Sequence, residues 1–198
     1  MSQVNFPTTL TLIRLVVSPL VLPILLVYFL PLNVGSVNCI LGFLFIAFSL
    51  TDFFDGYLAR KLDQETHLGK VLDPIADKFL IYSTLIALLA VHKIYFYWVV
   101  ILIGREIFLM GVRQIALEHN FSVSVSFLGK FKTALQMSYL TCAIINPYHA
   151  EGYSLSGVGL WNVIEDVLLG GTLFLSVFSA QQYFKVFLVQ FKEKLRAL

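Results

Sequence analysis

Charge is what this chain has least of. Acidic and basic residues fill 13% of its 198 positions, about half the share of a soluble globular protein. With 58% hydrophobic residues and a mean hydropathy of +0.82, the composition excludes an ordinary water-soluble domain. An integral membrane protein is expected. A polar-lumen barrel is excluded too, because the apolar stretches run well beyond the roughly ten alternating residues of a barrel strand. Cysteine is equally sparse. Cys39 and Cys142 lie inside apolar segments without metal-ligand spacing, so they read as ordinary helix residues and say nothing of the redox compartment. Met1 to Thr9 lack a basic region and no small-residue cleavage site follows, so no cleavable signal peptide is expected. Without an internal repeat or a low-complexity linker, one domain over residues 1–198 is expected.

What the chain does have is six apolar stretches long enough to cross about 30 Å of hydrocarbon, which takes roughly 20 residues. They run approximately from Leu10 to Leu30, Val34 to Arg60, Leu68 to Val91, Tyr95 to Leu117, Phe127 to Ile145, and Gly157 to Phe187. Breaks fall at Pro31–Ser36, Lys61–His67, His92–Ile94, Glu118–Ser126 and Asn146–Ser156. The expected fold is an all-α, six-transmembrane-helix bundle with neighbouring helices antiparallel. Of the fourteen Lys and Arg residues, Lys93 alone falls in an odd-numbered connection. The positive-inside rule then directs both termini and the second and fourth connections to the cytoplasm. The basic, amphipathic tail Gln181–Leu198 either extends the last helix along the anionic inner leaflet or is a helix end that obeys the positive-inside rule. Tyr95, Phe96, Tyr97 and Trp98 read as an interfacial belt.

Two runs, D-F-F-D-G-Y-L-A-R (Asp52 to Arg60) and G-K-V-L-D-P-I-A-D-K (Gly69 to Lys78), set four carboxylates in this oil. At helical spacing Asp52, Asp55, Gly56 and Ala59 share one side, and Gly69, Asp73 and Asp77 follow at i, i+4, i+8. If the chain reverses between the runs, Asp52 comes level with Asp77, Gly56 with Asp73, and Arg60 with Gly69. Four acids so close in a low dielectric repel one another and protonate unless a multivalent cation holds them. Hard oxygen ligands without His or Cys point to Mg2+ or Mn2+, and two such ions would neutralise the quartet and still attract a pyrophosphate. Gly56, Ala59 and Gly69 leave a bare cleft floor or permit close helix packing. Arg60 would hold a phosphate or snorkel. Asp52 and Asp77 each lie about 12 Å in from the cytoplasmic ends of their helices.

A cationic group interrupts the fourth and fifth segments: Arg105 and Arg113 beside Glu106, then Lys130 and Lys132. Cations inside a bundle want an anionic partner. The partner is either internal, Glu106 or a hairpin aspartate for Arg105, or the phosphate of a phosphorylated alcohol. Glu165 and Asp166 belong either to a proton path or to an interface, and His67, His92, His119 and His149 read as loop residues.

The complete pattern D-x2-D-G-x2-A-R-x8-G-x3-D-x3-D, from Asp52 to Asp77, resembles the signature of the CDP-alcohol phosphatidyltransferases. The resemblance implies a six-helix membrane enzyme, commonly a homodimer, that displaces CMP from a CDP-linked lipid with an alcohol. It also implies that Asp52, Asp55, Asp73 and Asp77 hold the divalent metals, that Asp77 is the base, and that Asp52, Gly56, Ala59, Arg60 and Gly69 line the nucleotide-diphosphate site. Asp77 suits that role by position, since a neutral hydroxyl needs a nearby base.

Three further stretches, N-F-P-T-T-L-T-L-I-R, G-R-E-I-F-L-M-G-V-R and S-V-S-F-L-G-K-F-K-T-A-L-Q-M, look like the bacterial phosphatidylglycerophosphate synthases within that family. The implied substrates are CDP-diacylglycerol and sn-glycerol 3-phosphate, the latter's phosphate using Arg105, Arg113, Lys130 and Lys132. The implied setting is the bacterial inner membrane, with the active site facing the cytoplasm and no nucleic-acid partner. Rival readings are a cardiolipin synthase or a phosphatidylinositol-phosphate synthase of the same family, and an intramembrane prenyltransferase, which resembles larger bundles. A cation transporter would need its acids near the midplane with access from both sides.

Overall fold

A computed structural model describes the backbone of residues 20–61, 67–119, 127–146 and 159–196; the side chains of 51–77, 127, 128, 130, 193, 195 and 196 lie outside that description. Among the described residues the chain is all-helical. Helix α1 covers residues 20–29 and tightens into a 3-10 turn at Leu30–Leu32. Helices α2 (Gly35–Lys61), α3 (His67–Ala90), α4 (Phe96–Glu118), α5 (Phe127–Ile145) and α6 (Leu160–Arg196) follow. The expected segments agree to within about one residue for α2 to α5. The last helix differs: it continues nine residues past Phe187, because no Gly or Pro interrupts the chain after Gly171 and the basic tail is built of good helix formers. Leu160–Lys192 is long and apolar enough to cross a membrane; Leu20–Leu32, Gly35–Leu50 and Lys78–Ala90 are shorter apolar helical stretches among the described residues.

The chain forms two compact units, residues 1–94 with 140–157, and residues 95–139 with 158–198. In the first unit α1 buries Leu22, Leu26 and Leu30 at four-residue spacing, one stripe of a helix that is otherwise exposed and apolar. Pro31 enters the 3-10 turn, and Asn33 ends it in the left-handed region (φ 55°), its N–H donating to Leu30 O at 3.0 Å. Asparagine tolerates that conformation better than most residues. Helix α2 buries Asn38, Leu41, Gly42 and Phe45. Gly42 is where α2 meets the end of α5: a Cβ there would clash with Ile145 Cγ1 and lie 2.9 Å from its Cδ1. Only a bare backbone fits so near.

Helix α3 closes in a Schellman motif. Lys93 N–H donates to Leu88 O (2.8 Å) and His92 N–H to Leu89 O (3.0 Å), with His92 left-handed at φ 57° where glycine is usual. The Lys93 ammonium then donates to Ala143 O (2.9 Å) and Asn146 O (2.6 Å). It sits on the last carbonyls of α5, the negative end of that helix. The side chain of Asn38 donates to the same Asn146 carbonyl at 3.4 Å.

In the second unit α4 and α6 pack together most extensively. Their contacts advance in step, so the two helices run parallel: Arg105 reaches Ser176 and Ser179, Phe108 meets Phe184, and His119 meets Phe191. Leu109, Val112 and Ala116 pack with Tyr183 and Phe187 to form the core, flanked by Ala180, Phe184 and Phe191. The rings of Phe184, Phe187 and Phe191 stack at 6.2 and 5.4 Å. Gly171 lets α6 approach α5, since a Cβ there would lie 3.0 Å from Leu135 Cδ2.

The polarity of α6 is inverted along its first half. Thr172, Ser176 and Ser179 are buried, whereas Val167, Phe174, Val177 and Phe178 are exposed. The Thr172 hydroxyl donates to Leu168 O (2.7 Å) and that of Ser179 to Ser176 O (3.2 Å). Small polar residues inside and large apolar ones outside are what a helix bathed in lipid shows.

Candidate active site

Both aspartate runs lie on unbroken helix. Residues 52–60 belong to α2 and 69–77 to α3, and the two helices are joined by five residues, 62–66. Helical backbone puts Asp52 and Asp55 one turn apart on α2, with Gly56 and Ala59 on the same side. It puts Gly69, Asp73 and Asp77 at successive turns of α3. Helix α3 passes through Pro74 without a break; proline has no N–H to offer the Lys70 carbonyl four residues back. The side chains of Asp52, Asp55, Gly56, Ala59, Arg60, Gly69, Asp73 and Asp77 lie outside the described residues, and so does the register between the two stripes. Among the described side chains no His, Cys, Asp or Glu group of three is gathered as for a metal.

The cationic group is described more fully. Arg105 and Glu106 on α4 form an ion pair, their side chains 12% and 16% exposed. Lys132 on α5, at 3%, donates to the same Glu106 oxygen at 2.6 Å. Arg105 is also tied to α6: Nε donates to Ser176 O (2.9 Å) and Nη2 to Ser179 Oγ (2.6 Å). Two cations thus share one carboxylate, largely out of water. Arg113 does not join them; two turns further along α4, its guanidinium lies 5.9 Å over the Tyr183 ring. The side chain of Lys130 lies outside the described residues.

Of the two partners expected for Arg105, the internal one, Glu106, is present. Two further contributors, Ser176 and Ser179, hold Arg105 and were not among the expected residues, while Glu106 holds Lys132 as well as its neighbour. The signal for the serines was available, as a four- and three-residue spacing of small polar residues (Thr172, Ser176, Ser179) within an apolar helix.

The profile of the CDP-alcohol phosphatidyltransferases matches residues 4–178. The chain belongs to that family. Among curated relatives, the CDP-diacylglycerol–glycerol-3-phosphate 3-phosphatidyltransferases of Rickettsia typhi and Rickettsia prowazekii are each 35% identical to it over 181 residues. The match covers 91% of this chain and 96% and 94% of theirs. The Yersinia enterocolitica protein of the same name is 39% identical over 154 residues, covering 74% of this chain and 80% of its own. Membership spans both aspartate runs and the cationic group together.

Proposed function

We propose that this chain is a phosphatidylglycerophosphate synthase: it transfers the phosphatidyl group of CDP-diacylglycerol to sn-glycerol 3-phosphate and releases CMP. The observation that carries the reading is the placement of the complete aspartate signature on two continuous helices joined by five residues. The names of relatives matched over nine-tenths of the chain support the choice of substrates.

Asp52, Asp55, Asp73 and Asp77 would hold divalent cations, Mg2+ or Mn2+ and two in number. The donor set fits, being all carboxylate oxygen in pairs one helical turn apart. When bound, the ions supply charge neutralisation for the pyrophosphate. Asp77 takes the proton of the acceptor hydroxyl as its oxygen forms the new bond to phosphorus. The anhydride bond breaks in the same transfer, and CMP departs with the electron pair. Gly56, Ala59 and Gly69 leave room for the nucleotide diphosphate, with Asp52 and Arg60 beside it. Arg105 and Lys132 draw the acceptor phosphate to the cluster at Glu106, with Lys130 and Arg113 as further cations along α5 and α4.

The remaining features follow the same reading. One membrane-embedded domain of residues 1–198 crosses the bacterial inner membrane six times and forms a homodimer, with both termini and the site facing the cytoplasm. The inverted polarity of α6 supports lipid as its surroundings.

The deciding experiment incubates membranes carrying the protein with CDP-diacylglycerol, Mg2+ or Mn2+, and each acceptor in turn. CMP release should depend on glycerol 3-phosphate and vanish in folded Asp77→Asn. Faster release with phosphatidylglycerol or inositol phosphate would reassign the acceptor. Metal flux into vesicles without CMP release would replace the enzyme by a transporter.

A further inference from the structure

Two hydrogen-bonding atoms beside the cationic group stand without a partner among the described residues. Each of the three guanidinium nitrogens of Arg105 has a protein acceptor, and Lys132 donates to Glu106. Gln136, 1% exposed, has no partner for its Nε2 donor, and Ser176, fully buried, has none for Oγ. Ser176 belongs to the turn of α6 whose carbonyl accepts from Arg105. Gln136 stands four residues after Lys132 on α5, on the same helical face and about 6 Å along the axis.

The large majority of buried carboxamide donors are satisfied by the protein or by ordered water. A donor left unmade next to two cations that share one carboxylate is arranged for something polar and anionic. A phosphorylated three-carbon alcohol spans about one helical turn, the interval between Lys132 and Gln136. We infer that Gln136 determines acceptor specificity: its N–H donates to the non-reacting secondary hydroxyl of glycerol 3-phosphate while the phosphate lies against the cationic group. This rests on the acceptor reading proposed above, and it adds what that reading lacks, a reason for preferring an acceptor with a second hydroxyl.

The test compares glycerol 3-phosphate with 3-hydroxypropyl phosphate, which lacks only the secondary hydroxyl, in mixed micelles of CDP-diacylglycerol with Mg2+. The wild type should favour glycerol 3-phosphate in kcat/KM by about three- to tenfold, the share of one neutral hydrogen bond. Gln136→Met, similar in size but without the donor, should lose that preference by raising KM for glycerol 3-phosphate, with KM for CDP-diacylglycerol unchanged. Equal use of both acceptors by the wild type overturns the inference whether or not the variant folds. So does a folded Gln136→Met that keeps the wild-type preference, because the donor then serves only the fold or a buried water. No CMP release from the wild type with either acceptor overturns the acceptor reading itself, and the inference with it.

Discussion

Replacing Gly42 by alanine sets two opposed effects of known size against each other. In an isolated helix the change would stabilise by about 0.5–1 kcal/mol, since glycine loses the most backbone freedom on folding. Here the new Cβ would meet Ile145 at Cγ1 and, at 2.9 Å, at Cδ1. Cγ1 is not the free tip of the side chain, so Ile145 must change rotamer or the helices must part. Overpacking of that kind costs about 1–3 kcal/mol. The net expectation for Gly42→Ala is therefore a loss of up to about 2.5 kcal/mol. In an Ile145→Ala background both clashing atoms are gone, and Gly42→Ala should instead stabilise by up to about 1 kcal/mol. The assay is a double-mutant cycle of denaturant-induced unfolding in detergent micelles, reading the coupling between the two sites. A Gly42→Ala effect of the same sign and size in both backgrounds would refute the reasoning.

Substitutions at three other positions are expected to report separately. Lys93→Met removes the charged donor from the end of α5 and leaves the Ala143 and Asn146 carbonyls without it. A loss of about 2 kcal/mol should appear as a lowered unfolding midpoint. His92→Gly relieves the left-handed conformation and should raise the thermal midpoint, gaining about 1 kcal/mol; an unchanged or lower midpoint contradicts the Schellman closure. Glu106→Ala strands Arg105 and Lys132 together and should cost about 3–5 kcal/mol. Glu106→Gln, which keeps an acceptor oxygen, should cost clearly less in parallel unfolding curves.

The helices were legible because their signals are local. Apolar runs of twenty residues interrupted by Pro31, His92 or the polar stretch after Glu118 mark their own ends, and α2 to α5 fall within about a residue of those marks. The end of α6 was legible only as one of two readings of the basic tail, since a drop in hydropathy after Phe187 marks where lipid ends and not where the backbone stops bonding to itself. The aspartate signature was legible for the opposite reason: an acid in oil is conspicuous in one sequence. Gln136, Ser176 and Ser179 are not conspicuous, because uncharged polar residues are common in apolar helices. The significance of the serines depends on Arg105, more than 70 positions away, which meets both. Gly42 is illegible for the same reason. Nothing near it announces Ile145.

Lys93 was the exception in the charge count that orients the chain, and its partners give that exception a consequence in time. On the proposed topology its loop must be delivered to the outer face of the membrane as each helix leaves the translocation machinery in turn. The carbonyls that receive its ammonium belong to residues 50 and 53 positions further on. Until α5 has been synthesised and inserted, the third-to-fourth connection carries an unmatched cation against the preferred direction. Its outward placement is locked only on arrival of the fifth helix. The first four helices are thus predicted to hold a provisional orientation. A ribosome-bound chain truncated before Ala143 should show this loop accessible from either side.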